Sequence, residues 1–281
     1  MALAGDGERH NMGFVDWLFG AKKERTAGGR LTPLAILDLS GAAKLPSAGS
    51  DGGSERSRML EQIKEDLRWL FPPADVHDSQ AWDRYWNDQI AYGLNPQLFD
   101  MFCDDRRLID PMMNRRFSSV LCAGNGISQE PRALASAGFK VTAMDLSPAA
   151  TRLAQAIRPR PDHMKMFLGR ASRRSGGTLE YLTADLLDVG VCPGPFDVII
   201  ERRTVQLFRG QELGAALQAL ARRLRHDGLF CSHCHDGGWR PPARPVHAAE
   251  SWFQEHGWTI WRGGRGSAPP GRVAWLSMST G

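Results

Sequence analysis

From Phe117 onward the sequence alternates short apolar runs with amphipathic stretches, and that alternation restricts the chain to a parallel sheet covered by helices on both faces. The strand-like runs are residues 120–123, 140–145, 179–182, the strongly apolar 196–201, and 229–233. Between them, residues 130–137 and 149–157 are helical in pattern. Leu213, Leu217, Leu220 and Leu224 share one helical face, with Gly228 expected to stop that helix. The tail departs from the alternation: a helix over about 248–256 is followed by strands at 258–261 and 272–278 with a Gly/Pro loop and no helix between them. Two strands joined in this way predict a C-terminal hairpin, which places an antiparallel strand in a mostly parallel seven-stranded α/β sheet.

The 281 residues leave room for additions ahead of this core. Residues 1–56 read as a flexible extension, because SGAAKLPSAGSDGGSERS at 40–57 has linker composition, flanked by short apolar pieces at 14–19 and 31–39. Met59, Ile63, Leu67 and Leu70 then recur at helical spacing until Phe71-Pro72-Pro73 ends the run. Trp82, Tyr85, Trp86, Ile90, Tyr92, Leu98, Phe99 and Phe102 predict two further short helices. Residues 57–116 are thus expected to form a helical lid over a core at 117–281.

Charge excludes little. The net +4 comes from 35 basic against 31 acidic residues, and the arginine pairs at 115/116, 173/174, 202/203 and 222/223 are scattered, so no basic stripe suggests a nucleic-acid partner. Five cysteines, an odd number at irregular spacing, argue against a disulfide framework and for a reducing compartment. The N-terminal residues lack an apolar run of secretory length, and no run is long enough to cross a bilayer. The expectation is therefore a soluble cytoplasmic protein with no membrane partner.

The most informative stretch is SSVLCAGNGISQEPRALASAGFKVTAMDLSP, residues 118–148, in which a strand leads into Ala123-Gly124-Asn125-Gly126, a helix, a second strand and Asp145-Leu146. Glycines allow a sharp turn and close approach to a ligand, and an acid ending the second strand can accept both hydroxyls of a ribose. A dinucleotide is the obvious rival ligand. Its G-x-G-x-x-G fingerprint requires a third glycine where this chain has Gln129, whereas a nucleoside without phosphate has no need of that cradle. About forty residues further on, Asp185 ends the third strand, where a carboxylate can accept from an adenine amino group while Leu186 packs against the ring. A loop-capping aspartate is the plain alternative.

Over roughly residues 80–281 these features resemble the class I S-adenosylmethionine-dependent methyltransferases, a family with a Rossmann-like fold. The resemblance implies that Gly124, Asn125 and Gly126 hold the methionine part of S-adenosyl-L-methionine, Asp145 the ribose, and Asp185 with Leu186 the adenine. Two departures from the family pattern are Cys122, where many members have an acid, and Ser128, where many have a third glycine; Ser128 is a candidate helix N-cap. Within the family the chain is most similar to the thiopurine methyltransferase group, through Trp82 and Trp86 ahead of the first strand and Glu201-Arg202 after the fourth. At i, i+4 on one helix face, the two indoles either wall the sulfonium or serve as core.

Methyl transfer requires the acceptor to be aligned with the methyl group and water excluded, and no protein nucleophile. Phe196-Asp197-Val198-Ile199-Ile200-Glu201-Arg202-Arg203 lacks the Asn/Asp-Pro-Pro-aromatic signature of amide methylation, which favours a small-molecule acceptor over a nucleic-acid amine. Glu201 is a candidate for the cofactor's amino group and Arg202 or Arg203 for an acidic acceptor, with plain salt bridges as the alternative. Cys231-Ser232-His233-Cys234-His235-Asp236 invites a zinc reading, but strand alternation turns Cys234 away from Cys231, His233 and His235, so no metal is expected. His233 and His235 are instead candidates for acceptor contact or general base. A protein or peptide methyltransferase docking its substrate through residues 1–56, and a non-catalytic binding module of the same fold, are the competing classes.

Overall fold

A computed structural model describes residues 72–91, 112, 115–157, 176–236, 245–261 and 270–280, with the side chains of 234–236, 245–248 and 277–280 excepted. The expected extension, the helix carrying Met59 to Leu70, and Tyr92, Leu98, Phe99 and Phe102 lie outside these residues. One compact unit runs from Pro73 to Gly281. It begins with α1 (Ser79–Ala91) and continues through β1 (Ser119–Ala123), α2 (Glu130–Ser136), β2 (Lys140–Asp145), α3 (Pro148–Ala156), β3 (Thr178–Thr183) and β4 (Phe196–Arg202). A short 3-10 helix (Val205–Leu207) precedes α4 (Gly210–Arg223), β5 (Leu224–Asp236), α5 (Pro245–Glu255), β6 (Thr259–Trp261) and β7 (Val273–Thr280). Among the described residues no helix is long and apolar enough to cross a membrane.

The strands form one sheet in the order β3-β2-β1-β4-β5-β7-β6. Side-chain alternation divides its core into two layers. Val120 and Cys122 of β1, Val198 and Ile200 of β4, Leu229 and Cys231 of β5, and Val273 and Trp275 of β7 bury one face under Ala133 and Leu134 of α2. The intervening Leu121, Ala123, Ile199, Phe230, Ala274 and Leu276 bury the other under Leu213, Leu217 and Leu220 of α4 and Phe253 of α5. At roughly 1.5–3 kcal/mol for each large apolar side chain fully buried, these two layers hold the sheet together.

Two expectations are corrected. The C-terminal strands do not form an antiparallel hairpin: Thr259 pairs with Val273 and Trp261 with Trp275, while Leu229 pairs with Val273 and Asp236 with Thr280, so β7 runs parallel to both neighbours. Residues 262–272 are close to the dozen that a parallel return requires, and β6 is only three residues long, so little distance has to be recovered. Nor does Gly228 stop the helix. Helix α4 ends at Arg223, and Leu224 is already extended, pairing with Phe196 before the register shifts to Val198 with Leu229. Leu224 is apolar and 3% exposed, and burying it against the second layer brings the strand start forward.

Strand order reverses between β1 and β4, so the connections leaving their carboxyl ends diverge and leave a crevice there, the usual ligand position in such sheets. The glycine turn leaves β1 at this point, and the segment 203–207 leaves β4 beside it.

Candidate functional site

Gly124 and Gly126 both adopt left-handed backbone angles, φ 60° and 52°, which a side chain would strain. Space demands glycine as well. A Cβ on Gly124 would overlap the Thr204 side chain, and one on Gly126 would lie 2.6 Å from the Trp86 indole. Thr204 Oγ1 lies 3.2 Å from the Gly124 carbonyl and 3.4 Å from that of buried Ala123, tying the β4 exit to the β1 exit. Within the turn, the Asn125 backbone N–H donates to the Met144 carbonyl at 3.0 Å and its side-chain amide to the Gly126 carbonyl at 3.2 Å. Ser128 acts as an N-terminal cap in part: its hydroxyl accepts from the Glu130 N–H at 3.1 Å, although the cap position itself is Gln129.

Asp145 joins the glycine turn to the second strand. Its Oδ2 accepts from the Gly126 N–H at 2.7 Å and its Oδ1 from the Ser147 N–H at 2.9 Å. Burial raises its pKa to about 6, partly opposed by the Ser147 and Gly126 donors and reinforced by the nearby Asp83 carboxylate. Half-buried Leu146 follows it. The Asp145 carbonyl accepts from the Ala184 N–H at 2.9 Å, which sets Asp185 beside Asp145 at the carboxyl edge of β3. Asp185 Oδ1 accepts from the Leu187 N–H at 2.8 Å, its Oδ2 lies 3.7 Å from His77 Nδ1, and Leu186 is buried in the second layer. The glycine turn and the two carboxylates therefore converge on one edge of the sheet.

Helix α1 lies across this edge. Trp86 packs on Gly126, and Trp82 instead turns back, donating from Nε1 to the Val76 carbonyl at 3.1 Å. The helix is fastened by Asp83, whose Oδ1 accepts from Ser147 Oγ at 2.5 Å and from the Ala149 N–H at 2.8 Å at the start of α3, where negative charge is favoured. Tyr85 stands between the two tryptophans. Its pKa is pushed up to about 12 by burial, against the Arg203 guanidinium, which draws it down.

The remaining candidates divide. Glu201, 1% exposed, is occupied within the fold: it accepts from the Thr204 and Val205 N–H groups at 3.0 Å each, capping the 3-10 helix, and from the Ser232 hydroxyl. Burial pushes its pKa up, and these donors oppose the shift. Arg202 turns inward to a bidentate pair with Glu130, at 2.5 and 2.6 Å. The next residue, Arg203, is left-handed at φ 61°, a conformation costly for a side-chain-bearing residue, and its N–H donates to the His233 carbonyl at 2.8 Å. Burial lowers the Arg203 pKa to about 10. His233 is buried at the carboxyl end of β5 beside Arg202 in the ladder, and only the backbone of His235 lies within the described residues.

Sequence reasoning missed Asp83, Tyr85, Thr204 and His77 as members of this edge. Asp83 and Tyr85 lie on the same helix as Trp86, a signal that could have found them; Thr204 and His77 carry none, since only tertiary packing brings them to the turn and to Asp185.

A family model described as a methyltransferase domain matches residues 121–232, from within β1 to within β5. Over that stretch the chain is similar to that family. No protein of curated function matches the chain significantly. Among solved structures, a TehB-like SAM-dependent methyltransferase from Corynebacterium glutamicum is 18% identical, with 63% of this chain and 84% of that one covered and a TM-score of 0.40. The magnesium protoporphyrin IX methyltransferase of Synechocystis with bound SAM is 19% identical, covering 56% and 75%, with a TM-score of 0.38. A structure described by the conversion of a disulfide bond into a thioacetal group during echinomycin biosynthesis is 23% identical with a TM-score of 0.36; 53% of this chain is covered, which spans only 58% of that one.

Proposed function

We propose that this protein is an S-adenosylmethionine-dependent methyltransferase acting on a small-molecule acceptor, nearest in kind to the thiopurine methyltransferase group. The observation that carries the reading is the hydrogen bond from the Gly126 N–H to Asp145, with Ala184 bound to the Asp145 carbonyl, because it draws three separate sequence segments together at one edge of the sheet. The donor set fits an adenosyl group. Asp145 would accept from the ribose hydroxyls, Asp185 from the adenine amino group, Leu186 would pack against the base, and the glycine turn would hold the methionine part. The bound cofactor would supply an activated methyl on a sulfonium. This chain's part is to orient the acceptor in line with that methyl and keep water out.

The acceptor would meet the carboxyl ends of β4 and β5, where Arg203, Tyr85 and His233 gather; with Arg202 engaged by Glu130, its role is to set the backbone of that corner. His233 and His235 remain the candidates for taking a proton from the acceptor.

Isothermal titration with S-adenosylhomocysteine tests the cofactor assignment. Micromolar binding is expected, reduced at least about tenfold by Asp145→Asn through loss of a charge-assisted hydrogen bond. Absence of heat, or an equal response to NAD, overturns the reading. Mass spectrometry of a labelled-methyl reaction in a metabolite extract tests the acceptor class, and label appearing in protein instead of metabolites overturns the small-molecule assignment.

A further inference from the structure

Arg223, the last residue of α4, is fully buried, and nothing in the site described above uses it. A buried guanidinium usually faces a carboxylate. This one grips backbone: its Nη1 donates to the Leu186 carbonyl at 2.6 Å, its Nη2 to the Asp188 carbonyl at 2.7 Å, and its Nε to the Cys192 carbonyl at 2.8 Å. A further bond from Nη1 to the Ala219 carbonyl at 3.1 Å braces the side chain against its own helix. The three gripped carbonyls belong to the loop that follows Asp185. Gly194, at φ 82°, packs so tightly on the Arg223 carbonyl that a Cβ there would overlap it, which fastens the far end of the same loop to the same residue.

The geometry has a direct route to the ligand edge. The Leu186 carbonyl and the Leu187 N–H are the two ends of one planar peptide. Arg223 holds the oxygen end, and Asp185 Oδ1 accepts from the nitrogen end at 2.8 Å. Fixing the plane of that peptide aims its N–H at Oδ1 of Asp185 and so restrains the carboxylate, whose Oδ2 lies 3.7 Å from His77 Nδ1.

We propose that Arg223 is a positioning residue that, through the Leu186–Leu187 peptide, holds Asp185 so that the site selects 6-aminopurine over 6-oxopurine nucleosides. This rests on the adenosyl reading above. An amino group at the purine 6-position donates to Asp185 Oδ2, whereas an oxo group there presents a second acceptor and repels it, so selection depends on the oxygen being held and not free to swing away. Lysine cannot replace arginine in this role, because a single ammonium lacks the planar fork that reaches three carbonyls at once.

The test is titration of the full chain and of Arg223→Lys with S-adenosylhomocysteine and with its inosine counterpart, S-inosylhomocysteine. The wild type is expected to prefer the adenosine form by about tenfold or more, and Arg223→Lys to reduce that ratio to within about threefold. A loss confined to general stability would lower the melting temperature and leave the ratio unchanged, and an unchanged ratio in folded Arg223→Lys overturns the proposal. If the variant does not fold, amide exchange of the ligand-free wild type decides: the Leu187 N–H is expected to exchange at least about tenfold slower than an open loop amide, and exchange at the open rate overturns the proposal. Wild type that binds both nucleosides equally overturns this inference and leaves the methyltransferase reading standing; wild type that binds neither overturns both.

Discussion

Asp145 receives two backbone hydrogen bonds, yet burial still keeps its pKa near 6 instead of the ordinary 3.8. Because the folded value is the higher one, the protonated form contributes stability that is fully present below about pH 4 and is lost as the pH rises through about 6. Ligand binding runs the opposite way, since only the ionised carboxylate accepts from both ribose hydroxyls. Affinity for S-adenosylhomocysteine should therefore weaken about tenfold between pH 7 and pH 5, measured by titration across that range. Asp145→Asn should weaken ligand binding, and its amide NH2 must face either the Gly126 or the Ser147 N–H where an accepting oxygen stood, so a stability loss of about 1 kcal/mol at pH 8 is expected in denaturant melts. Gly126→Ala probes the turn. It must hold φ 52° and displace the Trp86 indole, so a loss of about 2 kcal/mol in stability and at least tenfold in ligand affinity is expected from melts and titration.

At the scale of elements, the carboxyl edge of the sheet carries the ligand and the opposite edge carries the fastening. Asp197, at the start of β4, accepts from the N–H groups and hydroxyls of both Ser118 and Ser119 at the start of β1, at 2.7 to 3.1 Å, and pairs with Arg225 at 2.5 Å. Burial works to raise its pKa, but the Arg225 and serine donors outweigh it and hold it at about 2. A depressed value means that the ionised form stabilises the fold above about pH 4, and that this contribution is lost as the pH falls through about 2. Asp197→Asn should cost about 1–2 kcal/mol at pH 7, allowing for the half-exposed Arg225, and should flatten the acid limb of stability between pH 4 and 2 in urea titrations. Ligand affinity should change little, since β1 and β4 are fastened here at the end away from the glycine turn.

At the scale of the whole molecule, the sheet, both core layers and the ligand edge all lie within Pro73–Gly281. A chain beginning at Pro73 should accordingly melt cooperatively and bind S-adenosylhomocysteine within about threefold of the full chain, an expectation from domain autonomy checked by circular dichroism and titration. If binding survives but methyl transfer to metabolites does not, residues 1–72 serve the acceptor. Much of this unit could be read from residue order alone, because periodicity and punctuation are local properties. The strand, glycine turn, helix, strand and acid of residues 118–148 are contiguous, and both Asp145 and the paired left-handed glycines follow from that run. Where partners are distant in sequence, tertiary structure decided. Glu201 carries the residue type of a cofactor contact and Arg202 that of an acceptor contact, but Ser232, Thr204 and Glu130, supplied by other elements, hydrogen-bond to these charges within the fold. The direction of β7 was likewise invisible, since a turn-rich connection allows either a hairpin or a return, and the choice lay with pairing against β5. The grip of Arg223 on the loop after Asp185 spans more than thirty residues, and no local pattern encodes a guanidinium that bonds to backbone carbonyls.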